Sequence, residues 1–299
     1  MSAALSLKPS YYEALRRLTL EMAGVSLGND HHFIVETRLS ALSRREGFDS
    51  LSDMVEELFS RGQTRLAVNV VSALLERERR FFDDKDSYDV ISDHILPRLI
   101  AGYGGSPLRF LVFGCGSGQD AYSLAMTIDK LQAQMPDLET EIIAADYPSW
   151  ALDRASEGRY THFEVQRGLP IRDLVKYFTR SGEDWVINDE LRRRVAVKEF
   201  HLLSNTEELG RYHLILFRNA LGHYSAPAQV RLLRSLAPIT MPQGYLMLGR
   251  DDKLSNLNFG YDPVENYQGL LKKHDDPKVE IDPYEGRKRP TERTSFKGL

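Results

Sequence analysis

Residues 113–126 read FGCGSGQDAYSLAM. The apolar run LRFLVF (108–113) leads into them and has the length of one buried strand. Gly114, Gly116 and Gly118 follow at alternate positions, and a helical pattern runs from about Asp120 to Gln134. Glycine between a strand and a helix lets the backbone take positive φ and approach a ligand closely. A tight turn with no ligand has the same spelling, so a second feature is needed before the loop reads as a binding site.

That feature stands one βαβ unit downstream. EIIAA (141–145) reads as a second strand and runs into Asp146, an acid placed to accept hydrogen bonds from ribose hydroxyls. A strand-end cap is the competing reading. The G-x-G-x-G spacing points to S-adenosylmethionine (SAM) rather than a dinucleotide, which disfavours a nicotinamide-dependent oxidoreductase. HLILF (213–217) and GYLMLG (244–249) supply two more strands. Strands alternating with helices predict an α/β, Rossmann-like, doubly wound parallel sheet. Within 158–200 the rhythm breaks. Trp185 to Ile187 and Val195 to Phe200 read as short strands beside the turns Ser181-Gly182 and Asn188-Asp189, so a small antiparallel insertion is expected at about 158–200.

Upstream, residues 9–80 carry only helical spacing. Tyr12, Leu15, Leu18 and Met22 recur along a first helix that Gly24 stops. A second runs from about Asp30 to near Gly47. A third starts at the cap candidate Ser50, with Met54, Val55 and Leu58 apolar, and Gly62 marks the next break. The chain therefore divides into a helical N-terminal domain (1–85), a Rossmann-like domain carrying the SAM-type glycine loop (86–271) and a charged, Pro-containing tail (272–299) expected to be mobile.

Composition narrows the function. The 299 residues are 42% hydrophobic and 27% charged, enough to build packed cores, and the net charge of -4 offers no global attraction to nucleic acid or an anionic membrane. One cysteine, Cys115, excludes an intrachain disulfide and a multi-cysteine metal site; no metal is expected. No signal-peptide pattern and no apolar run of about 18 residues is found. A cytoplasmic protein without membrane insertion is the natural expectation.

Taken together, these motifs resemble the chemotaxis-receptor methyltransferase (CheR) family over residues 10 to about 260. The family's loop and helix read roughly STGEEPYSIAM; here GSGQDAYSLAM. Its later Arg-Asn pair corresponds to Arg218 and Asn219 in HLILFRN. Its insertion, a G-x-Y segment leading to L-x-x-Y-F, corresponds to GRY and LVKYF. Its N-terminal helix ends in R-L-x-x-L, here RLSAL.

The resemblance implies SAM-dependent methylation of chemoreceptor glutamate side chains. It places Asp120, Asp146, Leu202, Arg218 and Asn219 around the cofactor, with Asp146 on the ribose. Arg218 also fits a surface ion pair, and Asn219 a cap or turn. Several positions depart from the family. Where it has T-N-x-T-x-F-F-R, this chain has Glu76 to Asp83, so Arg77, Arg79 and Asp83 replace cofactor-facing Asn, Thr and Arg. Phe81 and Phe82 remain, a pair that core packing also explains. The basic run fits a solvated helix face equally. His201 replaces an Asn, and His223 a Tyr that the neighbouring Tyr224 supplies if the alignment slips by one. Asp83, His223 and Tyr224 are the candidate catalytic positions; Arg77, Arg79 and His201 join the cofactor set. Asp83 reverses charge where an anionic substrate arrives, although it could instead favour the sulfonium, with Arg77 and Arg79 supplying the substrate's counter-charge.

Two functions follow: an active methyltransferase, or a degenerate relative that binds SAM or receptor without turnover. Expected partners are the cytoplasmic helices of a chemoreceptor or another signalling protein. Arg38, Arg44 and Arg45 are candidate contacts, against the alternative of ordinary solvated arginines. The short turn SGED (181–184) argues against docking on a receptor's C-terminal pentapeptide.

Overall fold

The alternation of apolar side chains along LRFLVF sends Phe110 and Val112 to one face and Leu111 and Phe113 to the other, and helices cover both faces. A computed structural model describes residues 7–28, 31–61, 64–75, 79–103, 105–147, 149–252 and 259–274. The chain begins with four helices, α1 (Pro9–Ala23), α2 (His32–Arg45), α3 (Leu51–Arg61) and α4 (Thr64–Leu75). Their apolar stripes enclose a core of their own around Tyr12, Leu15, Leu39, Leu42, Met54 and Val70. Gly24 caps α1 in the left-handed region, donating its N–H to Leu20 O, as its place in the sequence predicts. The Ser50 hydroxyl accepts the N–H of Asp53 at the start of α3.

Next come α5 (Lys85–Val90), a π-turn at Ile91–Ile95 and α6 (Leu96–Tyr103), none of which the sequence pattern had marked. The sheet then alternates with helices: β1 (Leu108–Phe113), α7 (Gln119–Gln132), β2 (Thr140–Asp146), α8 (Trp150–Glu157). Between them and the rest of the sheet lies β3 (Arg159–Thr161), α9 (His162–Gln166), α10 (Ile171–Tyr177), β4 (Phe178–Ser181), β5 (Asp184–Ile187) and α11 (Asp189–Arg192). The chain continues through β6 (Val195–Glu199), β7 (Tyr212–Phe217), α12 (Ala226–Leu236), β8 (Thr240–Leu248), β9 (Tyr261–Pro263) and β10 (Leu270–Lys273).

The main sheet has the order β6-β2-β1-β7-β8-β10-β9. β6, β2, β1, β7 and β8 are parallel; β10 and β9 return antiparallel. From β1 the chain winds outward to β2 and β6, then crosses back to β7 beside β1. The topological switch point therefore lies between β1 and β7, and a ligand crevice is expected outside the carboxyl ends of those strands.

Two expectations need correction. Val195 to Glu199 is not part of the antiparallel insertion: it pairs parallel with Ile142 to Asp146 at the edge of the main sheet. The insertion sheet is β3-β5-β4, and Asn188 caps α11, its side chain accepting the Leu191 N–H, rather than turning a hairpin. The tail does not begin at 272, because Lys272 and Lys273 belong to β10, and Lys273 Nζ donates to Ala237 O and Thr240 O. Residues 275–299 lie outside the described residues.

The helical bundle is joined to the sheet rather than hung from it. Ala23, Val25 and Val71 share a core with Phe113, Phe217 and Leu248, and Val25 forms a β-bridge with Tyr224. Phe81 packs with the other face, beside Tyr122 and Tyr160.

Candidate functional site

The carboxyl ends of β1, β2, β7 and β8 hand the chain to Gly114, Tyr147, Arg218 and Gly249, so the fold delivers four turns to one crevice. Gly114, Gly116 and Gly118 have φ of 72°, 55° and 92°, all left-handed. Gly118 is required doubly: a Cβ there would lie 3.0 Å from Ala155 Cβ and 3.1 Å from the Tyr160 hydroxyl. The Gly116 N–H donates to Asp146 Oδ2 at 2.6 Å, and the Tyr147 N–H donates to Asp146 Oδ1 at 2.7 Å. Asp146 thus clips the loop after β1 to the end of β2. Each carboxylate oxygen keeps a further lone pair for ligand hydroxyls. Gly114, Gly116, Asp146, Leu202 and Tyr224 line a cavity here, together with Arg79.

A charged cluster lies beside the loop. Asp120, in the first turn of α7, accepts from Tyr88 Oη at 2.6 Å and Arg218 Nη1 at 3.1 Å, with Arg79 Nη1 at 3.4 Å. Arg218 is 2% exposed. Its Nη2 donates to Asp83 O at 2.6 Å, while its buried Nε finds no acceptor among the described residues. Burial opposes the guanidinium charge, but Asp120, then Tyr88 and Asp84, outweigh it and push the pKa up. Burial, reinforced by Asp120, pushes the Tyr88 phenol well above its ordinary value, so it stays a donor.

Backbone strain concentrates at the same place. Phe82, Asp84 and Asn219 have φ of 49°, 52° and 52°. A bulky aromatic there costs on the order of 1–3 kcal/mol, and such residues gather where the surroundings over-determine them. Asp83 sits between two of them, and its Oδ2 accepts from Asn219 Nδ2 at 3.0 Å. Gly249 allows Asn219 that position: a Cβ on it would lie 2.1 Å from Asn219 Oδ1.

The structure brings Gly114, Gly116, Gly118, Asp146, Leu202, Arg79, Asp120, Arg218, Asn219 and Asp83 into one region. Tyr224, buried, forms part of the cavity wall, whereas His223 is exposed one residue away. His201 does not line the cavity. Its Nδ1 accepts the Leu203 N–H, so Nε2 carries the proton and donates to Met22 O at 2.6 Å, tying α1 to the sheet domain. Arg77 lies outside the described residues. Tyr147 and Trp150 also line the cavity and carry no motif of their own; their signal was position, directly after the β2 acid.

Away from the crevice, Arg38 Nη1 donates to Leu74 O at 3.0 Å. Arg44 is exposed, and the Arg45 guanidinium lies 5.7 Å from the Trp150 ring centre. No metal-binding group of His, Cys, Asp and Glu occurs among the described residues, and no described helix is long and apolar enough to cross a membrane.

Residues 77–268 match the family described as CheR methyltransferase, SAM binding domain. The chain is 30% identical over 264 residues to Chemotaxis protein methyltransferase 1 of Pseudomonas aeruginosa, covering 87% of this chain and 96% of that one. Over the same shares it is 28% identical to Chemotaxis protein methyltransferase Cher2 of Pseudomonas putida. Chemotaxis protein methyltransferase 1 of Vibrio cholerae is 28% identical over 273 residues, 90% of this chain and 98% of that one.

Proposed function

The chain belongs to the CheR methyltransferase family, with a SAM-binding domain over 77–268, and on that footing we propose that it methylates glutamate side chains on the cytoplasmic helices of a chemoreceptor. The observation that carries the reading is the Asp146–Gly116 clip between the carboxyl ends of β1 and β2, which leaves carboxylate lone pairs on a glycine-lined cavity. The residues present fit the cofactor: a glycine backbone cradle, a strand-end acid for ribose, and aromatic walls in Tyr147 and Trp150. Gly114 to Gly118 and Asp146 would hold it, and Leu202 and Tyr224 would close over it. When bound, SAM supplies an electrophilic methyl group.

A receptor glutamate is ionised near neutral pH, so no side chain here has to remove a proton. The protein's task is alignment and exclusion of water, effects worth ~7 kcal/mol or more. Tyr224 stands at the cavity wall where it can orient the incoming carboxylate. Asp83 and Asn219 form the neighbouring hydrogen-bonded pair. Arg218, bonded to Asp120 and to the Asp83 carbonyl, positions both.

The partner reading rests on surface chemistry. Arg44 is exposed at the end of α2, and Ile171 and Val175 project from α10 at 73% and 74% exposure, four residues apart on one helix face. A basic end and an apolar face suit an amphipathic acidic helix. Arg38 is anchored to Leu74 and serves the bundle instead. The two-residue turn between β4 and β5 offers little surface for a receptor's C-terminal peptide, and a cytoplasmic site of action fits a substrate on receptor cytoplasmic helices.

Titration calorimetry with SAM and S-adenosylhomocysteine tests the cofactor arrangement. Asp146→Ala removes the acceptors for ribose and for the loop, and binding weakens by ~1–3 kcal/mol. Unchanged affinity in a folded variant would count decisively against this placement.

A further inference from the structure

Arg79 enters the cavity from the segment that follows α4. Its side chain is 8% exposed. It lies along the glycine loop: a Cβ on Gly116 would be 3.4 Å from both its Cγ and its Nε. Nη2 donates to Gly114 O, Nη1 donates to Arg218 O at 3.1 Å, and Asp120 Oδ2 stands 3.4 Å from Nη1. Two main-chain carbonyls from the ends of β1 and β7, and one buried carboxylate, thus converge on a single cation. With that side chain in place the cavity measures about 40 Å³, whereas sites for ligands of cofactor size run to roughly 300–1,000 Å³.

The convergent acceptors define a subsite for a cation. SAM and S-adenosylhomocysteine both carry an ammonium group at their amino-acid end, which needs acceptors of this kind. Resting on the cofactor reading above, we propose that Arg79 is an internal competitor for that group: its guanidinium occupies the ammonium subsite, and the cofactor seats fully only when Arg79 withdraws. The affinity of the chain for its cofactor is then the intrinsic affinity reduced by the fraction of molecules with Arg79 out.

The test is calorimetry on the full chain with three ligands: SAM, S-adenosylhomocysteine and 5′-methylthioadenosine, which lacks the amino-acid end. Arg79→Thr should tighten the first two by ~10-fold or more, as expected when a minor open state becomes the only one, and leave the third within about twofold. Arg79→Lys, which keeps the charge but has no fork to span two carbonyls, should give a smaller gain in the same direction and serves if the threonine variant does not fold. Weaker or unchanged binding of S-adenosylhomocysteine in the folded variants overturns the proposal, since Arg79 would then hold the cofactor or stand idle. An equal gain for 5′-methylthioadenosine also overturns it, since Arg79 would be bulk rather than an ammonium competitor. If Asp146→Ala loses binding while neither Arg79 variant gains, the cofactor reading stands and this one falls. If no form of the chain binds any of the three, both fall.

Discussion

Asp120 Oδ1 and Arg218 Nη1 lie 3.1 Å apart with side chains 6% and 1% exposed, so the first turn of α7 and the end of β7 meet through a buried ion pair. The pair straddles the switch point of the sheet. Arg218 also reaches the Asp83 carbonyl, and Asp120 also takes the Tyr88 hydroxyl, so one contact sets the spacing of three segments.

Removing one partner leaves the other charged and dry. Asp120→Asn keeps the shape but strips the counter-charge from Arg218, a loss of about 3–5 kcal/mol for a buried pair. Denaturant unfolding should show it as a lower midpoint with an unchanged slope. Arg79, whose Nη1 lies 3.4 Å from the same carboxylate, would be left as a second unbalanced cation beside Arg218, so removing it relieves part of the cost and Asp120→Asn combined with Arg79→Thr should be less than additive.

Tyr224 and His223 separate two readings of one motif. Tyr224 is buried in the cavity wall; His223 points out. His223→Ala should leave cofactor affinity and methyl transfer within about twofold, as expected for an exposed site. Tyr224→Phe should slow methyl transfer by roughly fivefold or more, the worth of about one hydrogen bond. Paired assays on a receptor fragment decide, and the reverse ranking would restore His223 to the site.

A pH effect on stability should come from His213, far from the chemistry. The ring lies under Tyr103, centroids 4.2 Å apart, and its Nδ1 accepts the Arg109 N–H at 2.9 Å. Burial, then the Arg109 charge, lowers its pKa in the folded chain. The unfolded chain therefore binds the proton more readily, and stability is full above the ordinary histidine range and lost as pH falls through it towards the folded value. Asp129 and Glu164 are lowered as well, but they act further down, below the ordinary carboxylate values. The thermal midpoint should drop between pH 7.5 and 5.5, and His213→Asn, which keeps an acceptor without titrating, should flatten that drop.

The parts of this architecture legible in sequence are those where local pattern and tertiary role agree. LRFLVF followed by alternate glycines marks a strand entering a tight turn, and Asp146 one unit on is what tips that turn towards a ligand site. Val195 to Glu199 misled because alternation marks a strand without saying whether its neighbour runs parallel, and the pairing with β2 is decided by the sheet. Lys272 and Lys273 read as tail because their charges mark no buried strand in the sequence, whereas β10 lies between β8 and β9 and the Lys273 ammonium is taken up by the Ala237 and Thr240 carbonyls. Arg79 was the hardest. In the run Glu76 to Arg80 nothing marks Arg79 as an arginine that turns inward, because the carbonyls that receive it come from residues 114 and 218.

Asp83 is the residue expected to set the rate of methyl transfer. It lies half-buried, its Oδ2 held by the exposed Asn219 amide, beside the cavity that an anionic glutamate must approach. Two like charges about 4 Å apart cost ~1 kcal/mol in bulk water and ~4 kcal/mol at an effective dielectric near 20. A half-buried, partly solvated carboxylate belongs nearer the lower figure, and each ~1.4 kcal/mol is tenfold in rate. Asp83→Asn keeps an oxygen for the Asn219 amide and removes only the charge, so it is a cleaner probe than Asp83→Arg, which would also crowd Arg218. Methyl transfer to a receptor fragment should rise by roughly five- to thirtyfold in kcat/KM. Cofactor affinity is measured alongside, because a carboxylate here could also favour the sulfonium. If the parent transfers methyl groups rapidly, and Asp83→Asn slows transfer while weakening SAM more than S-adenosylhomocysteine, then Asp83 is a working part of the cofactor site and not a brake on the substrate.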